Sequence, residues 1–253
     1  MDENTSLDDL RRTLALYGWS EDFVPERDNS LLVSLIDVAK IEPNKITFFL
    51  PGANTTRQRT VSKKKTVERI INDFGPFRLI VAERILNNDF RESQNSLDFD
   101  LDRRELFINN DVDQFGEKET VLALMAILEV FTPRYGFADV FDRVAASSLP
   151  SGIGSSEMSR LDNLRAADLF HSRHRTREHV NGKMHDVYAL NILSDAHMNW
   201  PVGDKSLREW INAGNRGELF DTKPGLTLWA VEDEIKATVR HELFKKGCLI
   251  ASV

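Results

Sequence analysis

One cysteine, Cys248, in 253 residues excludes an intrachain disulfide and any multi-cysteine zinc site. The scarcity suits a reducing compartment. The apolar setting Gly247-Cys248-Leu249-Ile250 marks the thiol as a small buried hydrophobe, with no base or helix N-terminus beside it to make a nucleophile. No apolar run approaches the roughly eighteen residues of a spanning helix, so no membrane association is expected. The acidic start Met1-Asp2-Glu3-Asn4-Thr5 fits neither a secretory signal nor a transit peptide, and the expected location is the cytoplasm. No internal repeat is present. The common signatures of chemistry are missing too. Gly152-Ile153-Gly154 lacks the lysine and the strand-to-helix setting of a phosphate loop, and neither a Gly-x-Ser-x-Gly elbow nor a His-Glu-x-x-His pair occurs.

What remains is an ordinary globular composition. Apolar residues make up 41% and charged residues 29%, which argues against disorder and against fibrous architecture. The net charge of −7 repels a phosphate backbone, so nucleic acid is not the expected partner, whereas a basic protein surface would suit it. The length permits one large domain or two small ones, and we read residues 1–253 as one. A Ser-, Gly- and Pro-rich stretch at 147–156 is the candidate internal boundary or long loop.

Along the chain, Ser6 and Asp9 make a capping-box-like start, and Leu7, Leu10, Leu14 and Tyr17 recur at helical spacing, predicting a first helix that ends at Gly18. Leu31 to Val38 is a strand or a buried helix. Ile46 to Leu50 reads as a strand. Residues 53–65, with Arg57, Arg59, Lys63, Lys64 and Lys65 among polar neighbours, read as a mobile basic loop. Val67, Ile70, Ile71 and Phe74 predict a helix stopped by Gly75-Pro76, and Phe77 to Ile85 is again strand or helix. Leu97, Phe99 and Leu101, then Leu106 and Ile108 after a charged turn, predict a hairpin with one wet face. Apolar residues from Val121 to Phe131 wrap nearly all round a helix starting near Glu117, which places it in the centre of the core. A further helix carries Leu161, Leu164 and Leu169. The run His185 to Leu193 reads as a strand, Leu226 to Val231 follows as an apolar run, and a last helix starts at Glu232-Asp233-Glu234 and ends at Lys245-Lys246-Gly247. The mixture lacks regular strand-helix alternation, so the expected fold is α+β: a mixed or largely antiparallel sheet packed with helices in a single globular unit.

Two groups of residues could carry function. His171, His174, His179, His185 and His197, with Arg173, Arg175 and Arg177 interleaved, supply imidazoles for a metal site or for acid-base work. Their spacing matches no zinc signature, and the arginines oppose a cation, so a solvated polar loop is the favoured reading and no cofactor is expected. Asp98 and Asp100 alternate on one strand face, where they would offer a partner acidic contacts. Trp200, in Asn199-Trp200-Pro201, is the tryptophan most suited to partial exposure, while Trp210 and Trp229 read as core. Trp200, Asp98, Asp100, Arg173 and Arg175 are therefore the candidate contacts to a partner.

The phrases Thr132-Pro133-Arg134-Tyr135-Gly136-Phe137-Ala138-Asp139, Asp186-Val187-Tyr188-Ala189-Leu190-Asn191-Ile192-Leu193 and Leu228-Trp229-Ala230-Val231 resemble bacterial α+β immunity proteins of type VI and other polymorphic toxin systems. The resemblance covers mainly residues 130–250 and transfers no functional residue. It implies stoichiometric binding of a cognate toxin without catalysis. The alternative is a metal-dependent hydrolase or nuclease using the histidines between 171 and 197.

Overall fold

The computed structural model describes residues 10–22, 24–50, 55–61, 64–74, 77, 79–85, 93–142, 146 and 176–250. The chain falls into two compact units, residues 1–132 with 140–147 and residues 133–139 with 148–253. The fold is α+β, as the sequence implies. The stretch 147–156 and the helix expected around Leu161 to Leu169 lie outside the described residues.

The first unit is an antiparallel sheet with three helices. Its strands are β1 (Leu10–Tyr17), β2 (Lys45–Phe49), β3 (Arg57–Thr60), β4 (Leu79–Ile85), β5 (Ser93–Asp100) and β6 (Glu105–Asp111), in spatial order β1-β6-β5-β4-β2-β3. The helices are α1 (Pro25–Val38), α2 (Lys64–Phe74) and α3 (Glu117–Val130). Proline starts α1 at a position where no backbone N–H is needed, and the Asp28 carboxylate reaches back to accept from the Val24 N–H at 2.8 Å. Leu31, Leu32, Leu35 and Ile36 form its buried stripe, which settles that segment as helix. In β2 the alternation puts Ile46 and Phe48 inside. Trp19 stacks on Phe99 with centroids 5.7 Å apart, and Phe131 closes over both.

Three expectations are overturned here. Leu10 to Tyr17 is a strand, not a helix: it pairs with β6 from Arg11–Asp111 to Tyr17–Glu105, and Thr13, Leu14, Ala15 and Leu16 are all buried. A strand covered on both faces loses its alternation, and its leucines then mimic helical spacing. The Thr13 hydroxyl donates to Asn109 Oδ1 at 2.5 Å, a cross-strand bond that a helix could not make. The basic stretch contains strand β3, paired from Lys45–Thr60 to Phe48–Arg57 at the end of the strand order, rather than being loop throughout. Short length and arginine side chains suit an edge strand. Helix α3 does not lie at the centre of the core: Thr120, Ala123, Leu124 and Ile127 are buried, but Val121, Leu122 and Met125 face outward.

The second unit has an antiparallel sheet in the order β11-β12-β8-β7, from β7 (Tyr135–Asp142, counted here through Asp139), β8 (Leu190–Ser194), β11 (Glu218–Lys223) and β12 (Leu226–Ala230). Between them in sequence come α4 (Asp195–Met198), a small ribbon of β9 (Pro201–Val202) and β10 (Lys205–Ser206), and α5 (Leu207–Asn212). Ser206 and Glu209 form a reciprocal capping box on α5. Of the apolar stripe Ile235, Val239 and Leu243 on the last helix, α6 (Asp233–Lys245), Val239 and Leu243 are buried and Ile235 is half-buried. Trp229 is fully buried, and its indole N–H donates to the Arg216 carbonyl at 2.7 Å. Only Leu190 onward of the expected His185–Leu193 strand is ladder-paired.

Candidate functional site

Of the five candidate histidines, the three described ones converge in the second unit. A left-handed Arg177 (φ 58°) starts a 3-10 turn, Glu178–Val180, that places His179. The chain then turns at Gly182 (φ 119°), where any Cβ would collide with the Trp200 ring. His185 follows and α4 supplies His197. All three imidazoles are buried.

Their common platform is Tyr135 on β7. His197 stacks on its ring at 5.2 Å, His185 meets it edge-on at 5.3 Å, and the His179 and His185 rings lie 4.4 Å apart. The Tyr135 hydroxyl accepts from the His185 backbone N–H at 3.0 Å, and burial raises its pKa above the ordinary phenol value. His197 Nε2 sits 2.7 Å from the His179 carbonyl, which can only accept, so Nε2 carries the proton. Its Nδ1, 2.9 Å from Ser194 Oγ, then accepts from that hydroxyl. Burial holds His197 down to about 4, against the two main-chain hydrogen bonds that favour its charge. It is a neutral imidazole near pH 7. Among the described residues, no group of three or more His, Cys, Asp or Glu side chains is arranged to hold a metal ion. His171, His174, Arg173 and Arg175 lie outside the described residues.

Around this nest β7 and the loop before β8 are tied to α6 by two ion pairs. Arg240 Nε donates to the fully buried Asp186 at 2.7 Å, and Lys236 reaches Asp139 at 3.1 Å. Burial is the largest single influence and works against the Lys236 charge, but Asp139 and Asp233 together outweigh it and raise the amine above its usual value. Asn191 bonds the backbone of Tyr188 at both ends of its amide and also reaches the Trp229 carbonyl. These groups were not singled out in the sequence. The signal was present in the spacing of Lys236 and Arg240, which i and i+4 place on one helix face.

Asp98 and Asp100 share one face of β5 in the first unit, but the face is not the wet one expected: both side chains are half-buried. Burial, with repulsion from Glu83, pushes the Asp98 carboxyl up to about 7 despite its hydrogen bond from Ser96. Glu83 in turn pairs with Lys45 at 3.3 Å. Asp100 accepts the Arg103 N–H at 2.9 Å and so shapes the hairpin turn. Trp200 is half-buried over Gly182 in the second unit, consistent with partial exposure. An open depression of about 450 Å³ beside α5 is lined by Asp195, Arg208, Asp221 and Thr227 among others. Its arginine is engaged: Arg208 grips Asp221 at 2.9 and 3.3 Å and Thr227 at 2.6 Å.

Among the described residues, the three histidines and the ion pairs beside them form a packed polar core. No family model matches the chain, and no curated protein matches it. Among solved structures it is similar to the Pseudomonas aeruginosa T6SS protein PA0821, with a TM-score of 0.54 and 10% identity over 95% of this chain and 73% of that one. At that identity the likeness is one of fold. Among the described residues, no helix is long and apolar enough to cross a membrane.

Proposed function

We propose that this chain is a non-catalytic bacterial binding protein, an immunity-type neutraliser that covers a cognate toxin in the cytoplasm. The observation that carries the reading is the fold likeness over 95% of the chain to a protein titled as belonging to the T6SS. The phrases around Tyr135, Tyr188 and Trp229 agree with it, and those residues turn out to be the buried framework of the second unit. His179, His185 and His197 support the same reading, being enclosed among aromatic rings where substrate has no access. Trp200, Asp98 and Asp100 are the described candidates for toxin contact, and Arg173 and Arg175 complete the set proposed from the sequence.

The test is co-expression with the toxin encoded beside this gene. The expected result is rescued growth and a one-to-one complex of the purified proteins. A neighbouring toxin that neither binds nor is neutralised sinks the proposal. So does turnover of a substrate by the purified chain, and stoichiometric zinc lost on replacing His179 and His185 would point to the hydrolase instead.

A further inference from the structure

Three of the five large apolar side chains that stand exposed among the described residues lie on α3: Val121 at 49%, Leu122 at 47% and Met125 at 59%. Single exposed apolar residues are ordinary on protein surfaces, but these are not scattered. Lys118, Leu122, Met125 and Glu129 follow a 4-3-4 spacing and form one seam along the outside of the helix, with Val121 beside it. Both seam ends are exposed and of opposite charge: Lys118 at the N-terminal end and Glu129 at the C-terminal end. Of the other charged residues in the first turn, Glu119 is taken up by Lys40 at 3.0 Å and Glu117 lies off the seam.

We infer that this seam is the contact between two copies of the chain, paired antiparallel about a two-fold axis between Ala123 and Leu124. Antiparallel seams match each position of one spacing with the other, so Leu122 packs on Met125 of the second copy and Lys118 meets Glu129 of the second copy. A parallel arrangement would set Lys118 against Lys118 and Glu129 against Glu129, and the helix dipoles would oppose it as well. The seam spans about 16 Å from Lys118 to Glu129. So short a contact buries well under the roughly 800 Å² per partner of a standard interface, so the dimer is weak and reversible. The inference does not depend on the toxin reading, because it concerns the chain alone.

Sedimentation equilibrium of the full chain over about 5–500 μM tests it. The expected average mass rises from 28.9 kDa towards twice that value. Met125→Glu abolishes the rise, Lys118→Glu weakens association about tenfold or more, and Lys118→Glu with Glu129→Lys restores it. A mass that stays monomeric at the highest concentration overturns the proposal, as does an unchanged Met125→Glu dimer or a double exchange no better than the single one. A cysteine experiment checks the geometry without relying on destabilised variants, since the native Cys248 is buried. Mixed Leu122→Cys and Met125→Cys chains should crosslink to each other in preference to themselves. Equal self-linking overturns the antiparallel arrangement.

Discussion

His197 and Asp98 show the same force acting on opposite charges. Burial holds His197 at about 4, below the roughly 6.5 of an unfolded histidine. The folded state therefore favours the neutral ring, and this contribution is complete above pH 6.5 and lost as pH falls through 4. The full loss is roughly 3 kcal/mol, and a His197→Gln variant should lack that part of the acid slope when urea unfolding is compared from pH 7 to pH 4. A slope identical in both proteins would show that His197 does not titrate as described. Asp98 runs the other way, with its folded value near 7 above the roughly 3.9 of the unfolded chain. Its protonated form is favoured in the fold, so stability is greatest below pH 4 and falls as pH rises through 7. Asp98→Asn should gain about 1–2 kcal/mol at pH 8, discounted for partial exposure, and nothing near pH 4. Equal gains at both values would assign the effect to packing. The sequence favoured a solvated polar loop for the histidine cluster, whereas His179, His185 and His197 are buried together against Tyr135. The neutrality of His197 was not legible in the sequence either, because it depends on burial against Tyr135, distant in sequence, and on a carbonyl that no side-chain pattern records.

At the level of the element, α6 was legible from its own residues: acidic start, basic end and a stripe ending in Val239 and Leu243. What could not be read was its role as a clamp, since Asp139 and Asp186 lie far away in sequence. Removing one member of such a buried pair is costly because the other is left charged and dry. Arg240→Met should destabilise the protein by about 3–5 kcal/mol in urea, and Asp186→Asn added to it should recover much of the loss. A double variant no more stable than the single would mean that Asp186 is held by its other contacts. Two of the three failures at element scale share one cause. Leu10 to Tyr17 looked helical because both faces of β1 are covered, and α3 looked central because its outward face is as apolar as its inward one. Sequence records which residues are apolar but not whether anything is packed against them. The hairpin of β5 and β6 was found because its turn, Leu101 to Arg104, and its alternation agree with each other.

For the whole molecule, the excess of acidic residues is the property most directly tied to the proposed toxin contact. A net charge of −7 creates a field that draws in a basic partner, and such steering acts on the association rate more than on lifetime. Asp98 cannot supply much of that field, because at neutral pH its carboxyl is only partly ionised, and Asp100 is engaged at the hairpin turn. The steering must then come from many exposed carboxylates together. Stopped-flow mixing with the neighbouring toxin should show association slowing about tenfold or more as salt rises from about 10 to 500 mM, with dissociation little changed. Replacing Asp98 and Asp100 together by asparagine should slow association far less than the salt does. An association rate indifferent to salt would remove the acidic surface from the recognition step and leave apolar contact, centred on Trp200, as the means of binding. A large effect of the two asparagines would instead make that face of β5 the docking site itself, and Asp98 would then be expected to lose its proton on binding, with complex formation tightening as pH rises through 7.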